Sequence, residues 1–270
     1  MSTTGPDSDV PDTGTPDTGM SDAGIIATGV AATTLATLTT AALASIIGGR
    51  SRGWWWGTAI GALSGAVAGR YRIYDLATGR GRRALIVDHT WALATTTAGV
   101  LVAAADLALG SPVERSLSER QNRLVFTRGA VVRRGFAISI GYTVSGAAGT
   151  EGRLTPRRRR LVTDHEDVHI WQARRWGPIY PLAYGTWLLV GGVIGFRRWW
   201  RDRRTSDRSL ASHLDATAYY CNPFEWRAYT EDRNWPPGGV DPALVWRRPF
   251  TSSALLDEIR EWRENPTARR

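Results

Sequence analysis

Long apolar stretches alternate with arginine-rich or polar segments along the chain. Residues 24–48 carry no charge, and they are long enough for a membrane-spanning helix of about 20 residues. Residues 90–109 and 179–196 are also apolar, although Asp106 interrupts the first of the two. This pattern predicts a protein built mainly of helices. A buried helix rich in Ala and Thr is the alternative to a span at 24–48, and 90–109 also fits either a span or a buried helix.

Four glycines follow the first apolar stretch at intervals of four residues: Gly57, Gly61, Gly65 and Gly69. Helical spacing places all four on one face, where the absence of side chains lets a partner helix approach closely. We therefore predict a second, shorter helix that packs on the first as a hairpin. A flexible glycine-rich connector is the alternative.

The pattern changes between residues 123 and 145. Short runs of β-branched and aromatic residues, including Ala130-Val131-Val132, are separated there by Arg-Gly pairs. Such runs are typical of short strands, and we predict a small antiparallel β meander. The fold class expected is therefore mainly α with one small antiparallel meander.

Helical patterns return after the strands. The first covers 161–176 and is ended by Gly177-Pro178, and the second covers 209–232 with a break at Asn222-Pro223. A last amphipathic helix is predicted near 251–264. At the other end of the chain, residues 1–22 contain five Asp, no basic residue and near-repeats of Pro-Asp-Thr-Gly, which predicts a disordered acidic tail.

Composition favours contact with membrane lipid. The formal net charge is +9, and several of the 13 Trp stand beside Arg at the ends of apolar stretches, as in Trp54–Trp56 and Trp199-Trp200. Trp and Arg are typical of the interface between a bilayer and water. We expect the cell membrane as the location. A basic nucleic-acid-binding protein is a weaker alternative, because no recognised binding motif accompanies the charge.

The chemistry concentrates in His165-Glu166-Asp167-Val168-His169. On a helix, residues i and i+4 lie one turn apart on the same face, so both imidazoles can bind one ion. Zn²⁺ is the metal expected for this motif. Glu166 stands beside the first ligand, where it can act as general base toward water activated by the ion.

This stretch resembles the active-site helix of the zincin metallopeptidases. Their metzincin branch would need Gly at 172 and His at 175, where this chain has Gln172 and Arg175. The resemblance therefore points to the gluzincin pattern, in which a Glu on a later helix is the third ligand. Glu225 matches that pattern, because Asn222 can cap a helix that starts at Pro223. The alternative is a capped helix with an acid in its first turn.

Other residues near the motif leave further assignments open. His213 would give a site of three histidines, and Asp164 is expected to orient an imidazole of the motif. Tyr220 and Tyr229 are candidates to bind a developing oxyanion, although packing is the alternative. His89 and the single Cys221 are expected to be structural. Asp167 is expected to face solvent. The Arg157–Arg160 run is expected to face solvent or headgroups, and substrate steering is the alternative.

We therefore expect a membrane-associated zinc-dependent metallopeptidase. Its regions are the tail 1–22, a membrane-associated helical region 23–110, and a zincin-like metal-binding domain 111–270 that contains the apolar helix 179–196. The substrate is an unidentified peptide or protein. The alternative is a membrane protein without enzymatic activity whose metal site is structural or vestigial. A fourth protein ligand would favour that alternative, whereas an open position beside a cleft favours the enzyme.

One topological constraint links the membrane to the metal. A straight span at 179–196 would separate His165 and His169 from Glu225 by a hydrocarbon core of about 30 Å. We therefore keep Glu225 as a ligand and give up 179–196 as a single straight span. Pro181, Gly185, Gly191 and Gly192 also make this stretch a poor straight helix.

Overall fold

The structure, a computed structural model, describes residues 22–47, 52–130 and 136–251, and beyond these only 253, 256, 257 and 260. The predicted acidic tail lies outside the described residues except for Asp22. So do Val131 and Val132 of the predicted strands, and most of the helix predicted near 251–264. Within the described residues the chain is mainly helical and contains one small sheet, as the pattern predicted.

The described residues contain ten α-helices, two π-helical segments, one short 3-10 helix (Gly149–Glu151) and three short strands. The π-helical segments Leu161–Glu166 and Asp215–Tyr220 follow α6 and α9 without a break. The helices are α1 (Asp22–Ile47), α2 (Arg52–Arg70), α3 (Gly79–Asp88), α4 (Leu93–Ala108), α5 (Arg115–Ser118), α6 (Pro156–Arg160), α7 (Asp167–Trp176), α8 (Ile179–Asp202), α9 (Leu210–Leu214) and α10 (Pro223–Glu231).

Helices α1 and α2 form the predicted hairpin. A Cβ atom added at Gly65 would lie 2.7 Å from the carbonyl oxygen of Gly29, and one added at Gly61 would lie 2.8 Å from Cα of Thr33. No side chain fits into such spaces, so the glycines set how closely the two backbones approach. One hydrophobic core extends from this hairpin to the sheet and includes Val67 and Phe126.

The strands are β1 (Leu124–Val125), β2 (Ile138–Ile140) and β3 (Thr143–Ser145), in the order β1-β3-β2. The prediction of an antiparallel meander is wrong for β1, which runs parallel to β3, whereas β2 and β3 are antiparallel. The difference lies in the strand order, because β1 and β2 pair with opposite sides of β3. The buried Asp106 near the end of α4 accepts hydrogen bonds from the Ala130 amide after β1 and from the Ser145 hydroxyl of β3. Asp106 thus finds the partners that a buried acid needs.

Helix α7 is fixed to α3 by a buried ion pair. Nε and Nη2 of Arg174 donate to the two carboxylate oxygens of Asp88 at 2.9 and 2.8 Å, and both residues are almost fully buried. Tyr74 donates to the same carboxylate, and Arg174 also donates to the main-chain oxygen of Asn122. The bidentate geometry and the extra hydrogen bonds compensate for the removal of both charges from water.

The N-terminal end of α7 is held by charges as well. Asp167 accepts from Arg123 at 2.6 Å and from Arg80 at 3.1 Å. The expectation that Asp167 faces solvent is therefore wrong, because the two guanidinium groups cover its carboxylate. The guanidinium groups of Arg80 and Arg174 each lie 4.6 Å from the Trp171 ring centroid, so the indole packs between two cations.

Helix α8 is one uninterrupted helix of 24 residues, although its Pro and Gly residues indicated a poor straight helix. Pro181 falls in the first turn, where a missing amide proton costs nothing. Gly191 and Gly195 face the returning chain, since Cβ atoms there would lie 2.5 and 2.3 Å from atoms of Thr217. The α9 helix and its π-helical extension run back along α8, so a long α8 and Glu225 near the histidines are compatible.

Among the described helices, only α8 is by itself long and apolar enough to cross a membrane. Helix α1, which the sequence favoured as a span, contains a shorter apolar stretch, Ile26–Ala42. Helices α3 and α4 reach the length and hydropathy of a span only when taken together, and they are bent by 90° relative to each other. Core helices of soluble proteins can be equally long and apolar, but they are mostly buried. Only 11% of the apolar window of α8 is buried, and Leu182 and Leu189 are 70% and 75% exposed.

The Arg174–Asp88 pair gives a first prediction. Arg174→Met should destabilise the fold by about 3–5 kcal/mol, because it leaves the Asp88 charge buried without its partner. Arg175→Met is the matched control: the same change at the next residue, which is exposed, should alter the free energy of unfolding by less than about 0.5 kcal/mol. Urea denaturation of the purified protein measures both. Equal effects of the two substitutions would contradict the role given to the pair.

Candidate metal centre

The structure brings together His165, His169 and Glu225. The Nε2 atoms of the two histidines lie 3.2 Å apart, and each lies 3.4 Å from an oxygen of Glu225. One ligand atom from each residue lies within 4.8 Å of the others, and all three residues are buried. Two imidazole nitrogens and one carboxylate oxygen in this arrangement can hold a metal ion.

Local sequence positions each of the three. His165 lies in the π-helical segment and His169 in the first turn of α7, so the two rings project from one continuous helix. Glu225 lies in the first turn of α10, which begins at Pro223 and is capped by the Asn222 side chain accepting from the Phe224 amide, as the sequence predicted. The hairpin of α8 and α9 brings this first turn back to α7.

Gln172 orients His169. Its Nε2 donates to the main-chain oxygen of Phe224 at 3.1 Å, so Oε1 faces His169 Nδ1 at 2.9 Å. Since Oε1 can only accept, Nδ1 must carry a proton, and the lone pair of a neutral His169 then lies on Nε2, toward Glu225. The Tyr180 hydroxyl donates to the same Oε1. The sequence used Gln172 only to exclude the metzincin form and did not predict this contact.

The polar atoms of the cluster fit a cation. Tyr184 donates to Oε1 of Glu225 at 2.7 Å, but Oε2 is buried and has no hydrogen-bond partner. Its 3.4 Å separation from His165 exceeds the roughly 2.7–2.9 Å of a charge-assisted hydrogen bond. A buried carboxylate oxygen without a donor is costly unless a positive charge lies beside it, and an ion among the three side chains would supply one.

Charge coupling is strong at this centre. Burial lowers the pKa of His169, but Glu225 and Glu166 raise it, and the result is a pKa of about 9. Burial raises the pKa of Glu225, yet the two imidazoles hold this pKa well below its ordinary range. Glu225 is therefore ionised and needs a positively charged partner. When no metal ion is bound, this partner is the protonated ring of His169.

Glu166 lies beside the cluster and is bound differently. Burial raises its pKa above the ordinary value, and the neighbouring histidines offset only part of that rise. The Ser139 hydroxyl of β2 donates to Oε2 at 2.6 Å. Glu166 is therefore a carboxylate with increased basicity, held in place through one oxygen.

The centre opens into a cavity of about 530 Å³. Its walls come from α4, from β2 with the turn that follows it, and from α8, while the metal centre forms the fourth side. Besides the metal centre and Glu166, the residues lining it are all neutral: Ala94, Thr95, Ala98, Ala137, Ile138, Ser139, Ile140, Gly141, Ala173, Tyr180, Pro181, Tyr184, Gly185, Leu188 and Tyr219.

The alternative ligands do not join the cluster. His213 is buried on α9 with its Nδ1 at 3.0 Å from the Ser209 carbonyl, and Asp164 accepts from Thr163 rather than orienting an imidazole. His89 binds the Ser64 hydroxyl and a main-chain oxygen, which is the structural role expected for it. Within the described residues, the one group of three or more metal-binding side chains is the cluster of two histidines and Glu225.

The tyrosines at the site differ from those the sequence proposed. The ring of Tyr229 packs 4.4 Å from the ring of His165, and Tyr220 packs against Tyr229 in turn. The hydroxyl groups at the ligands come instead from Tyr180 and Tyr184. Their spacing of four residues, shortly after the motif, was the available signal for a shared helix face.

Two further expectations concern Cys221 and the arginine run. Cys221 is buried in a hydrophobic cluster, as expected. Arg157 does not simply face solvent, because it forms a bidentate pair at 2.6 Å with Asp232, just after α10. This pair links α6 to the helix that carries Glu225.

No protein-family model, curated protein or solved structure matches the chain. The resemblance to zincin metallopeptidases therefore rests on the residues of the motif and on the position of Glu225.

The cluster predicts one bound ion per chain. His169→Ala and Glu225→Gln should each weaken metal binding at least ~100-fold, because loss of a ligand should cost no less than the 10–100-fold typical of its hydrogen-bond partners. Glu166→Gln should retain the metal. The matched control is His213→Ala, which removes a buried histidine outside the cluster. Metal analysis by mass spectrometry after dialysis against Zn²⁺ measures all four variants.

Two outcomes would contradict this assignment. Metal loss in His213→Ala but not in Glu225→Gln would make His213 the third ligand. A wild-type protein that stays metal-free after reconstitution would remove the metal centre altogether.

Proposed function

We propose that this protein is a membrane-associated, zinc-dependent hydrolase of the metallopeptidase type. His165, His169 and Glu225 are the ligands, and Glu166 is the general base. The observation that carries the proposal is the combination of three buried ligands with a basic carboxylate beside them at the end of a cavity. Two imidazoles and one carboxylate are one of the donor sets found in catalytic zinc sites.

The number of ligands supports a catalytic site over a structural one. Structural zinc sites are closed by four protein ligands, whereas catalytic sites keep one position for water or substrate. In the described part of the chain, neither Asp164 nor His213 reaches the cluster, and the side next to Glu166 faces the cavity. This arrangement disfavours the alternative of a membrane protein with a purely structural metal.

The roles of the side chains follow from their contacts. A zinc ion at this centre supplies Lewis acidity and lowers the pKa of water. Ser139 holds Oε2 of Glu166, which leaves Oε1 to take a proton from the attacking water and to deliver it to the leaving amine. Tyr184 fixes the carboxylate of Glu225, and Gln172 fixes the ring of His169.

The sheet supports a polypeptide as the substrate. Among the described strands the order β1-β3-β2 leaves β2 at the edge, and residues 138–140 line the cavity. Ile140 and Thr143 flank a two-residue turn and pair with each other, so the main-chain groups of Ser139 point away from β3. An extended peptide can pair with such an edge next to Glu166.

Hydrolysis is tested with quenched fluorescent peptides. Zinc-loaded wild type should cleave them, and Glu166→Gln should lower kcat by about 10²–10⁴ without loss of metal, because only the proton acceptor is removed. Ser139→Ala should have a smaller effect, since it frees the carboxylate without removing it. Activity of Glu166→Gln equal to that of wild type would exclude Glu166 as the base.

Membrane lipid is the proposed partner of α8. Its outward face is apolar and exposed, and its C-terminal end carries Trp199 and Trp200 among arginines, the composition of an interfacial anchor. The alternative contact is α1, where Ile26 and Val30 are 65% and 60% exposed.

Flotation of the full chain with phosphatidylcholine–phosphatidylglycerol vesicles tests this partner. Leu189→Asp with Val193→Asp on α8 should release the protein from the vesicles, because charges at these exposed positions would have to enter hydrocarbon. The matched control makes the same changes at Ile26 and Val30 of α1. Release by the α1 pair alone would assign membrane contact to α1, and wild type that does not float would exclude lipid as a partner.

A further inference from the structure

The walls of the cavity carry no charge apart from the metal centre and Glu166 beside it. The chain has 34 basic and 25 acidic residues, yet the lining from α4, β2 and α8 is neutral and mostly apolar, with Ala98, Ile138, Ile140 and Leu188 among its residues. A charged substrate group beside the reacting bond would lose its hydration there and gain no partner. The cavity therefore selects against charge close to the site of reaction.

The mouth of the cavity is apolar too. Ala94 and Ala98 of α4 and Pro181 and Leu188 of α8 line the cavity and are also exposed at the surface, so they form its rim. Next to this rim on α8 lies the exposed Leu189. A substrate segment that enters between α4 and α8 passes over apolar surface only.

Gly185 opens the α8 wall of this cavity. A Cβ atom at this position would meet nothing within 4 Å, whereas Gly191 and Gly195 on the same helix are required for close packing against the returning chain. Glycine is unfavourable inside a helix, and no packing contact demands it at position 185. The missing side chain creates space in the cavity, one turn from Pro181 and directly after Tyr184.

We infer that the cavity is a specificity pocket for an uncharged, apolar polypeptide segment, and that Gly185 sets the size of the apolar side chain accepted next to the reacting bond. This inference rests on the proposed function, because it assumes that the substrate reaches the metal centre through this cavity. The edge position of β2 favours a polypeptide over the acyl chain of a lipid, since the outward main-chain groups of Ser139 can pair with an extended peptide.

The test measures binding and cleavage separately. Two eight-residue peptides with an environment-sensitive fluorophore are titrated into the zinc-loaded Glu166→Gln protein, which should bind without turnover. One peptide contains Ala, Val, Leu and a central Phe, and the other has Glu and Lys beside the centre. We expect the apolar peptide to bind at least ~10-fold more tightly. One methylene in an apolar pocket is already worth roughly 10–200-fold in discrimination, and burial of a charge without a partner costs more.

Two leucine substitutions locate the pocket. Gly185→Leu should weaken binding of the Phe peptide at least ~10-fold and that of an Ala analogue less, because four added carbons fill the space beside Tyr184. Gly192→Leu is the matched control: the same change on the same helix, also with nothing within 4 Å of the added Cβ, but outside the cavity lining. It should leave binding unchanged, and both variants should retain the metal.

The outcomes separate this inference from the proposed function. Equal binding of the charged and apolar peptides, or equal effects of the two leucine substitutions, would overturn the inference. Binding of a long-chain fatty-acid ester that is sensitive to Gly185→Leu, without binding of any peptide, would overturn it in favour of lipid. Peptides that bind with the expected selectivity but are not cleaved by wild type would refute the hydrolase and leave the pocket standing.

Discussion

The site depends first on the burial of charge along α7. This helix carries Asp167 near its start and Arg174 near its end, and neither is left to water: the first is covered by Arg80 and Arg123, the second is paired with Asp88. A buried charge is stable only with its partners in place. These pairs therefore fix how α7 is rotated about its axis and how deeply it lies in the protein. That rotation turns His165 and His169 toward the cavity.

Glu225, the third ligand, is brought to the centre by tertiary packing and not by the local sequence of the motif. Glu225 follows His169 by 56 residues, and the intervening chain leaves along α8 and returns along α9. The return depends on Gly191 and Gly195, because any side chain there would collide with Thr217. The bidentate pair of Arg157 with Asp232 then ties the end of the returning chain to the helix that leads into the motif.

The sequence predicted those features that depend on neighbours close along the chain. The ligand spacing of the motif, the Asn222-Pro223 start of α10 and the four-residue glycine spacing of α2 are local patterns with local physical causes. The features it missed depend on distant partners. β1 pairs with β3 instead of β2, α8 continues because its glycines pack against the returning chain, and His169 is oriented by Gln172, whose other contact is the Phe224 carbonyl 52 residues away. One sequence read by itself contains no record of such pairings.

The π-helical segment Leu161–Glu166 limits insertions and deletions in the chain near the metal centre. A π-helical turn holds one residue more than an α-helical turn, and this one lies between two fixed points, the Arg157–Asp232 and Arg174–Asp88 pairs. Removal of one residue between them would rotate one anchor by about 100° relative to the other. The ion pair in the loop between α8 and α9, Arg208 with Asp241, lies at the surface and does not fix a helix rotation. A change of length should therefore be tolerated better there than between Pro156 and Trp176.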